Sequence, residues 1–159
     1  LNMIIDLERN DLTRICEYGT IKVVQPRTVV SLPTVYHAVA TVAGKARPGC
    51  TLSSAMKALF PGGSITGAPK IRSMQLINEL EPTARGPYTG AIGYISINDN
   101  VCLNIAIRTI IIRNRNAFVQ AGGGIVADSD PELEWRETLT KAEVLMTAIK
   151  SVSSSRKPQ

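Results

Sequence analysis

Several residue types are scarce in this chain, and each scarcity excludes a class of protein. Aromatic residues make up 4% of the 159 residues, which is too few for a surface that stacks nucleic-acid bases. Cys16, Cys50 and Cys102 lie far apart and form no Cys-x-x-Cys pair, so the sequence predicts neither a disulfide framework nor a zinc site. We expect these cysteines to be small buried residues.

Long apolar runs are also missing. No run reaches the roughly 20 residues that cross a bilayer. The chain also does not open with the charged, apolar and small-residue series of a signal peptide. The sequence therefore predicts a cytoplasmic protein with no membrane partner. Because the chain begins at Leu1 inside an apolar run, we expect it to be a piece of a longer protein.

The chain carries a moderate positive charge. Lysine and arginine outnumber the acidic residues 18 to 13, for a net charge of +5. Such a charge can attract nucleic acid, a membrane surface or a small polyanion. Because the basic residues are scattered and aromatic residues are few, we expect no nucleic-acid partner.

The alternation of helical and β-rich segments predicts the α+β class. With 44% hydrophobic residues, the chain has enough apolar material for one core, and residues 1–152 are expected to form one domain with a frayed tail at 153–159. β-Branched residues, hairpin turns and helix caps give the boundaries. The predicted helices span residues 1–17, 51–59, 68–80 and 130–152, and the predicted strands are two within 21–43 and an antiparallel meander at 88–97, 101–112 and 116–121.

Residues 60–70 (FPGGSITGAPK) carry the densest chemical signal. Glycines, hydroxyls and a lysine packed this tightly suggest a loop whose backbone and side chains close on an anionic ligand. Ser64 and Thr66 supply the hydroxyls, Gly67 follows them, and Lys70 ends the segment. A second glycine run, Gly122, Gly123 and Gly124, likewise lets backbone N–H groups approach a ligand, although a tight turn explains it equally well.

The last predicted helix has an apolar stripe that we expect to face the core, formed by Trp135, Leu139, Ala142, Met146 and Ile149. Beside this stripe, Glu134, Glu137 and Lys141 share one polar arc of the helix. Two carboxylates at i and i+3 can hold a hard cation such as Mg²⁺. The alternative, favoured by spacing alone, is a solvated face on which Glu137 and Lys141 form an i, i+4 pair that stabilises the helix by about 0.2 to 0.5 kcal/mol.

Arg108 lies in a predicted strand whose alternation places it on the face of Asn104 and Ala106. A guanidinium facing a pocket can grip a carboxylate with two hydrogen bonds. The alternative is an exposed arginine on a half-solvated sheet. His37 is the single histidine and stands in a strand-like run, where a structural role is the ordinary explanation.

Five segments together resemble the chorismate-utilising enzymes, and within them the component I proteins of aminodeoxychorismate and anthranilate synthases. These segments are residues 3–12 (MIIDLERNDL), 60–70, 88–94 (YTGAIGY), 107–109 (IRT) and 121–131 (AGGGIVADSDP). The resemblance covers about residues 3–148. Residues 62–67 (GGSITG) are closer to the aminodeoxychorismate branch, which serves folate biosynthesis. The alternatives are anthranilate synthase, which serves tryptophan biosynthesis, and an inactive fragment that only binds a partner subunit.

The resemblance implies a role for each candidate residue. Glu137, with Glu134 beside it, matches a Mg²⁺ ligand whose ion binds a substrate carboxylate, and Lys141 matches a lysine lining the same site. Tyr88 and Arg108 match residues that bind the enolpyruvyl carboxylate of chorismate.

The resemblance also implies substrate contacts for the backbone of Gly122, Gly123 and Gly124 and for the loop residues Ser64, Thr66 and Gly67. His37 matches a histidine near the hydroxyl that leaves the ring, where it acts as a general acid or orients the substrate.

The resemblance further implies an α/β sandwich of two antiparallel sheets with outer helices. In the implied reaction, a glutamine amidotransferase supplies ammonia, which adds to the ring as the C4 hydroxyl leaves. This chain matches only the C-terminal part of that catalytic domain. It lacks the upstream Pro-Ile-Lys-Gly-Thr type motif and the acidic segment with a second Mg²⁺ glutamate. We therefore expect it to be inactive alone and to self-associate through exposed sheet edges.

Overall fold

The computed structural model describes residues 2–31 and 36–154. The chain divides into two compact units, Leu1–Pro82 and Thr83–Gln159, called here the first and second units. The first unit contains α1 (Asn2–Thr13), β1 (Lys22–Ser31), β2 (Tyr36–Ala43), α2 (Leu52–Leu59), α3 (Gly63–Thr66) and α4 (Lys70–Leu80). The second unit contains β3 (Ala91–Ile95), β4 (Val101–Ile105), β5 (Ile110–Arg113), β6 (Asn116–Val119) and α5 (Pro131–Ser154).

Helix α1 ends at Thr13, four residues before the predicted end at 17. The backbone after the helix forms hydrogen bonds with residues 45–47 instead: Arg47 N donates to Ile15 O at 2.9 Å, and Glu17 N donates to Lys45 O at 2.8 Å. The two strands predicted within 21–43 are confirmed as the antiparallel pair β1 and β2. Residues 32–35 lie outside the described residues.

The sequence offers Thr51 or Ser53 as the cap of α2, and the structure selects Thr51. Thr51 precedes the helix in an extended conformation, and its hydroxyl accepts a hydrogen bond from Ser54 N at 3.2 Å. The Ser54 hydroxyl accepts one from Thr51 N at 2.9 Å, which completes a capping box. The short helix α3 was not predicted, because its glycines indicated an open loop.

The predicted meander in the second unit is wrong in one respect. The antiparallel pairs are β3 with β4 and β5 with β6, and no described strand joins them. The predicted strand at 101–112 is interrupted after Ile105. There Ala106 N donates to Gly90 O at 2.9 Å, Ile107 N donates back to Ile105 O at 2.8 Å, and Arg108 takes a positive φ of 52°.

Helix α5 begins as predicted. Asp130 caps it, since its Oδ1 atom accepts hydrogen bonds from Glu132 N and Leu133 N, each at 3.0 Å. The helix runs through Ser154, two residues into the predicted tail, and residues 155–159 lie outside the described residues. The apolar stripe is not the core face that the sequence predicted, because Trp135 is 57% exposed and Leu139 is 50% exposed.

The described residues bury few side chains. Cys16 and Ala106 are the buried apolar residues, and Asp11 is the buried charged residue at 4% exposure. The sizeable core expected from composition is therefore not found within the described residues. Of the three cysteines expected to be buried, Cys50 is half-buried and Cys102 is exposed. No helix of the described residues is long and apolar enough to span a membrane.

Candidate functional site

A cavity of about 120 Å³ in the second unit gathers several of the candidate residues. Its walls are formed by Tyr88, Ile107, Arg108, Gln120, Ala121, Gly122 and Lys141. We call it the Arg108 pocket. Arg108 reaches it from the turn after β4 rather than from a regular strand face, so the predicted alternation does not describe its position. Two cationic side chains thus share one small cavity with the first glycine of the Gly122 run.

Tyr88 is held close to this glycine run. Its hydroxyl oxygen lies 3.3 Å from the position that a Cβ atom on Gly122 would occupy, so a side chain there would crowd the phenol. The guanidinium carbon of Arg85 lies 5.8 Å from the centre of the Tyr88 ring, within the range of a cation–π contact. The chain direction after Tyr88 is fixed by Thr89, whose N–H donates to Ala106 O at 2.8 Å.

Lys141 connects the glycine run to the acidic arc of α5. Its Nζ atom donates to Gly122 O at 3.3 Å and forms an ion pair with Glu137, one turn earlier on the helix. The hydrogen bond that Lys141 donates to the Glu137 carboxylate and the charge of Lys141 lower the pKa of Glu137, and the charge of Arg108 adds a smaller effect in the same direction, while burial opposes it. The i, i+4 pair of Glu137 and Lys141 that helix spacing predicts is therefore present. Its lysine lines the Arg108 pocket.

Glu134 lies three residues before Glu137 on the same arc of α5. Its Oε1 atom accepts a hydrogen bond from the Ser129 hydroxyl at 2.6 Å. Its Oε2 atom lies 3.1 Å from the position of a Cβ on Gly123, and Lys141 Nζ lies 3.8 Å from that position. The missing side chain of Gly123 therefore leaves room for the Glu134 carboxylate and the Lys141 ammonium to converge.

The donor set is suited to a hard cation. Glu134 and Glu137 offer carboxylate oxygens on one arc of α5, and Mg²⁺ commonly takes one or two carboxylates while it keeps several waters. Among the described residues, no group of three or more histidine, cysteine, aspartate or glutamate side chains is placed to hold a metal. The two glutamates fit Mg²⁺ held partly by water, and the Mg²⁺ site remains a prediction.

The remaining candidates lie in the first unit. The Thr66 hydroxyl donates to Gly62 O at 3.1 Å, within the turn of α3, and Gly67 ends that helix with a φ of 105°. Ser64 is half-buried in α3, whereas His37 is exposed on β2 opposite Val30. Gly67 lines a cavity of about 540 Å³ in this unit, but Ser64, Thr66 and His37 do not line it. The substrate roles of these four residues remain predictions.

The sequence suggested that Lys70, at the end of the residue 60–70 segment, binds an anionic ligand. In the structure it is paired with Asp11 instead. Lys70 Nζ lies 2.7 Å from Asp11 Oδ1, and the N–H of Gly63 donates to Asp11 Oδ2 at 2.7 Å. One buried carboxylate therefore neutralises the lysine and fastens the start of the segment. The sequence contained a signal for this role: Asp11 follows Ile4 by seven positions and Leu7 by four, so a charge stands in an apolar stripe and needs a buried partner.

Comparison with known proteins identifies relatives of this chain. A family model described as chorismate binding enzyme matches residues 1–147. Anthranilate synthase component 1 of Pseudomonas aeruginosa is 47% identical over 147 residues, covering 92% of this chain and 30% of the relative. The protein of the same name from Aquifex aeolicus is 47% identical over 153 residues, covering 96% of this chain and 31% of the relative.

Two solved structures share the fold. The crystal structure of anthranilate synthase component I from Streptococcus pneumoniae TIGR4 matches with a TM-score of 0.82 and 46% identity, covering 89% of this chain and 33% of that chain. A putative 2,3-dihydroxybenzoate-specific isochorismate synthase, DhbC, from Bacillus anthracis matches with a TM-score of 0.79 and 25% identity, covering 94% and 40%. The predicted fold class is confirmed, and the chain spans about a third of the length of these relatives.

Proposed function

This chain belongs to the family of chorismate-binding enzymes, and from that membership we propose that it forms the chorismate-binding segment of an aminating synthase component I. The observation that carries the proposal is the convergence of Arg108 and Lys141 on Gly122 in one cavity. Two cations close together suit a ligand that carries carboxylates, and a guanidinium can bind a carboxylate through two parallel hydrogen bonds.

The size of the cavity limits what it holds. Its volume of about 120 Å³ is below the 300 to 1,000 Å³ or so that is typical of whole small-molecule sites. We therefore expect the Arg108 pocket to receive one carboxylate-bearing arm of chorismate, with the ring outside it. Tyr88, at the wall, can donate its hydroxyl to that carboxylate. The rest of the ligand would contact groups beyond this cavity.

Glu134 and Glu137 are the residues that we propose to hold Mg²⁺. When bound, the ion would neutralise a second carboxylate of the substrate. Lys141 already balances the charge of Glu137 in the structure. This chain's own contribution is to bind and orient the substrate through Arg108, Lys141 and the glycine backbone.

Two products of chorismate amination are candidates, anthranilate and aminodeoxychorismate. The relatives described above carry the name anthranilate synthase. Their names support anthranilate as the product, which the sequence analysis gave as an alternative. Aminodeoxychorismate is the second candidate, and it rests on the Gly-Gly-Ser-Ile-Thr-Gly segment at residues 62–67.

In either case we propose that a glutamine amidotransferase supplies the ammonia. Incubation of a version restored upstream with chorismate, ammonium and Mg²⁺, followed by mass analysis, identifies the product. Turnover by this chain alone would contradict the expectation that it is inactive.

Binding tests the proposal independently of turnover. We expect chorismate, titrated with Mg²⁺ present, to shift the ¹H–¹⁵N signals of Gly122 and Gly123. Arg108→Met should weaken the binding by about 10-fold or more, because a hydrogen bond to a charged group contributes about 1.5 to 3 kcal/mol. Arg113→Met removes an exposed arginine on β5 in the same unit and should bind like the unchanged chain. Equal weakening by both variants, or no shift at all, would contradict the proposal.

A further inference from the structure

Ser129 forms a connected set of hydrogen bonds before α5. Its N–H donates to Val126 O at 3.0 Å, and its hydroxyl oxygen accepts from Val126 N at 3.0 Å. The same hydroxyl donates its one proton to Glu134 Oε1 at 2.6 Å. The turn therefore fixes the hydroxyl, and the hydroxyl fixes one oxygen of the carboxylate. A glutamate side chain that is otherwise free has up to about 2 kcal/mol of rotamer entropy to lose on ordering.

The two oxygens of Glu134 are consequently not equivalent. Oε1 is occupied by Ser129, whereas Oε2 points over Gly123, 3.1 Å from the position of a Cβ there. The nearby Lys141 ammonium lies on the same side, over the glycine. A cation arriving on the Gly123 side of this turn would meet Oε2 first, because the hydrogen bond from Ser129 holds Oε1 toward the turn.

We propose that Ser129 is a positioning residue that presents Glu134 to Mg²⁺ through Oε2 alone. The inference rests on the proposed Mg²⁺ site. Coordination through one oxygen suits Mg²⁺, which demands a compact octahedral shell, whereas Ca²⁺ takes more ligands and often uses both oxygens of a carboxylate. Ser129 therefore sets the preference for the smaller ion as well as the affinity.

The test uses Mn²⁺ as a paramagnetic probe for Mg²⁺ and follows the broadening of the Gly123 amide signal, with Ca²⁺ as competitor. Ser129→Ala should need about 10-fold more Mn²⁺ for half-broadening, the lower end of the usual loss when a partner of a metal ligand is removed. The Ca²⁺ affinity relative to Mn²⁺ should rise at the same time. Thr140→Ala is the matched control, since it removes a hydroxyl that donates to Arg136 O at 3.0 Å on the same helix.

A second pair of variants isolates the hydroxyl if alanine also loosens the turn. Ser129→Thr and Ser129→Val have nearly the same shape, and only threonine keeps the donor. We expect Thr to retain the Mn²⁺ affinity and the ion preference and Val to lose both. Equal behaviour of Thr and Val would overturn the positioning role.

Variants of the carboxylates separate this inference from the function on which it rests. If Glu134→Gln abolishes the broadening but Ser129→Ala and Ser129→Val leave affinity and ion preference unchanged, the metal site stands and the role of Ser129 is overturned. If Glu134→Gln and Glu137→Gln both leave the broadening unchanged, the proposed Mg²⁺ site is itself overturned, and the inference with it.

Discussion

Two lysine–carboxylate pairs, Lys70 with Asp11 in the first unit and Lys141 with Glu137 in the second, have different surroundings. In the first unit, the Lys70 and Asp11 side chains are 15% and 5% exposed, and Asp11 also accepts a backbone hydrogen bond. In the second unit, the Lys141 and Glu137 side chains are 25% and 56% exposed, and Lys141 lines the Arg108 pocket. Because breaking a buried pair is costly and an exposed pair contributes little, the first pair holds the backbone and the second is exchangeable.

This difference supports Lys141, rather than Lys70, as the lysine that we propose to contact a ligand. A substrate carboxylate can replace Glu137 beside Lys141 at small cost, because solvent already screens that pair. No such exchange is favourable at Lys70, since Asp11 would be left buried without its partner. The segment at residues 60–70 is thus held by an internal ion pair and hydrogen bond. In the run at residues 122–124, Gly122 lines the Arg108 pocket.

The largest effect that we predict comes from breaking the buried pair. Asp11→Asn should lower the free energy of unfolding of the first unit by about 3 kcal/mol, because Lys70 loses its counter-charge in a buried place. Asp6→Asn is the matched control on the same helix, since Asp6 pairs with Arg9 at 3.2 Å in solvent and should contribute at most about 1 kcal/mol. Urea unfolding followed by NMR signals of the first unit measures both. Equal midpoints for the two variants would remove the distinction between the pairs.

A smaller effect, on binding rather than stability, is predicted at the glycine run. Gly123→Ala places a Cβ 3.1 Å from Glu134 Oε2, so the carboxylate must move. The displaced atoms end a flexible side chain, so we expect stability to change little and Mn²⁺ affinity to fall by about 10-fold. A Cβ on Gly124 meets no described atom within 4 Å, which makes Gly124→Ala the control. Similar Mn²⁺ titrations of the two variants would contradict the proposed convergence over Gly123.

The sequence predicts local features of this molecule well. The caps at Thr51 and Asp130 follow from hydrogen bonds between near neighbours, and the structure confirms them. The arc of Glu134, Glu137 and Lys141 follows from helix geometry, and the structure places it beside the second glycine run. These features depend on residues only a few positions apart, which a sequence pattern records directly.

Features that depend on distant residues were not predictable in the same way. The bond from Asp11 to Gly63 joins residues 52 positions apart, and periodicity contains no information about such a partner. The turn that carries Arg108 forms because Ala106 is tied to residues 89 and 90 on both of its backbone groups, which interrupts an otherwise regular strand pattern. The apolar stripe of α5 was assigned to the core from its pattern alone, and the pattern does not say whether a partner surface covers it.

The smallest effect that we predict is a change in titration at the exposed pair. Lys141, and to a lesser degree Arg108, lower the pKa of Glu137. A depressed folded-state pKa means that the pair stabilises the fold above the unfolded-state pKa of glutamate, and that this stabilisation is lost as the pH falls through the folded-state value. The ¹³C signal of the Glu137 carboxyl should therefore titrate at the lowest pH in the unchanged chain. Its midpoint should rise slightly in Arg108→Met and further in Lys141→Met. Lys150→Met, nine residues beyond Lys141 on the same helix, should leave the midpoint unchanged. A larger shift of the midpoint in Arg108→Met than in Lys141→Met would mean that Arg108, rather than Lys141, is the main partner of Glu137. The proposed replacement of Glu137 by a substrate carboxylate would then take place at Arg108.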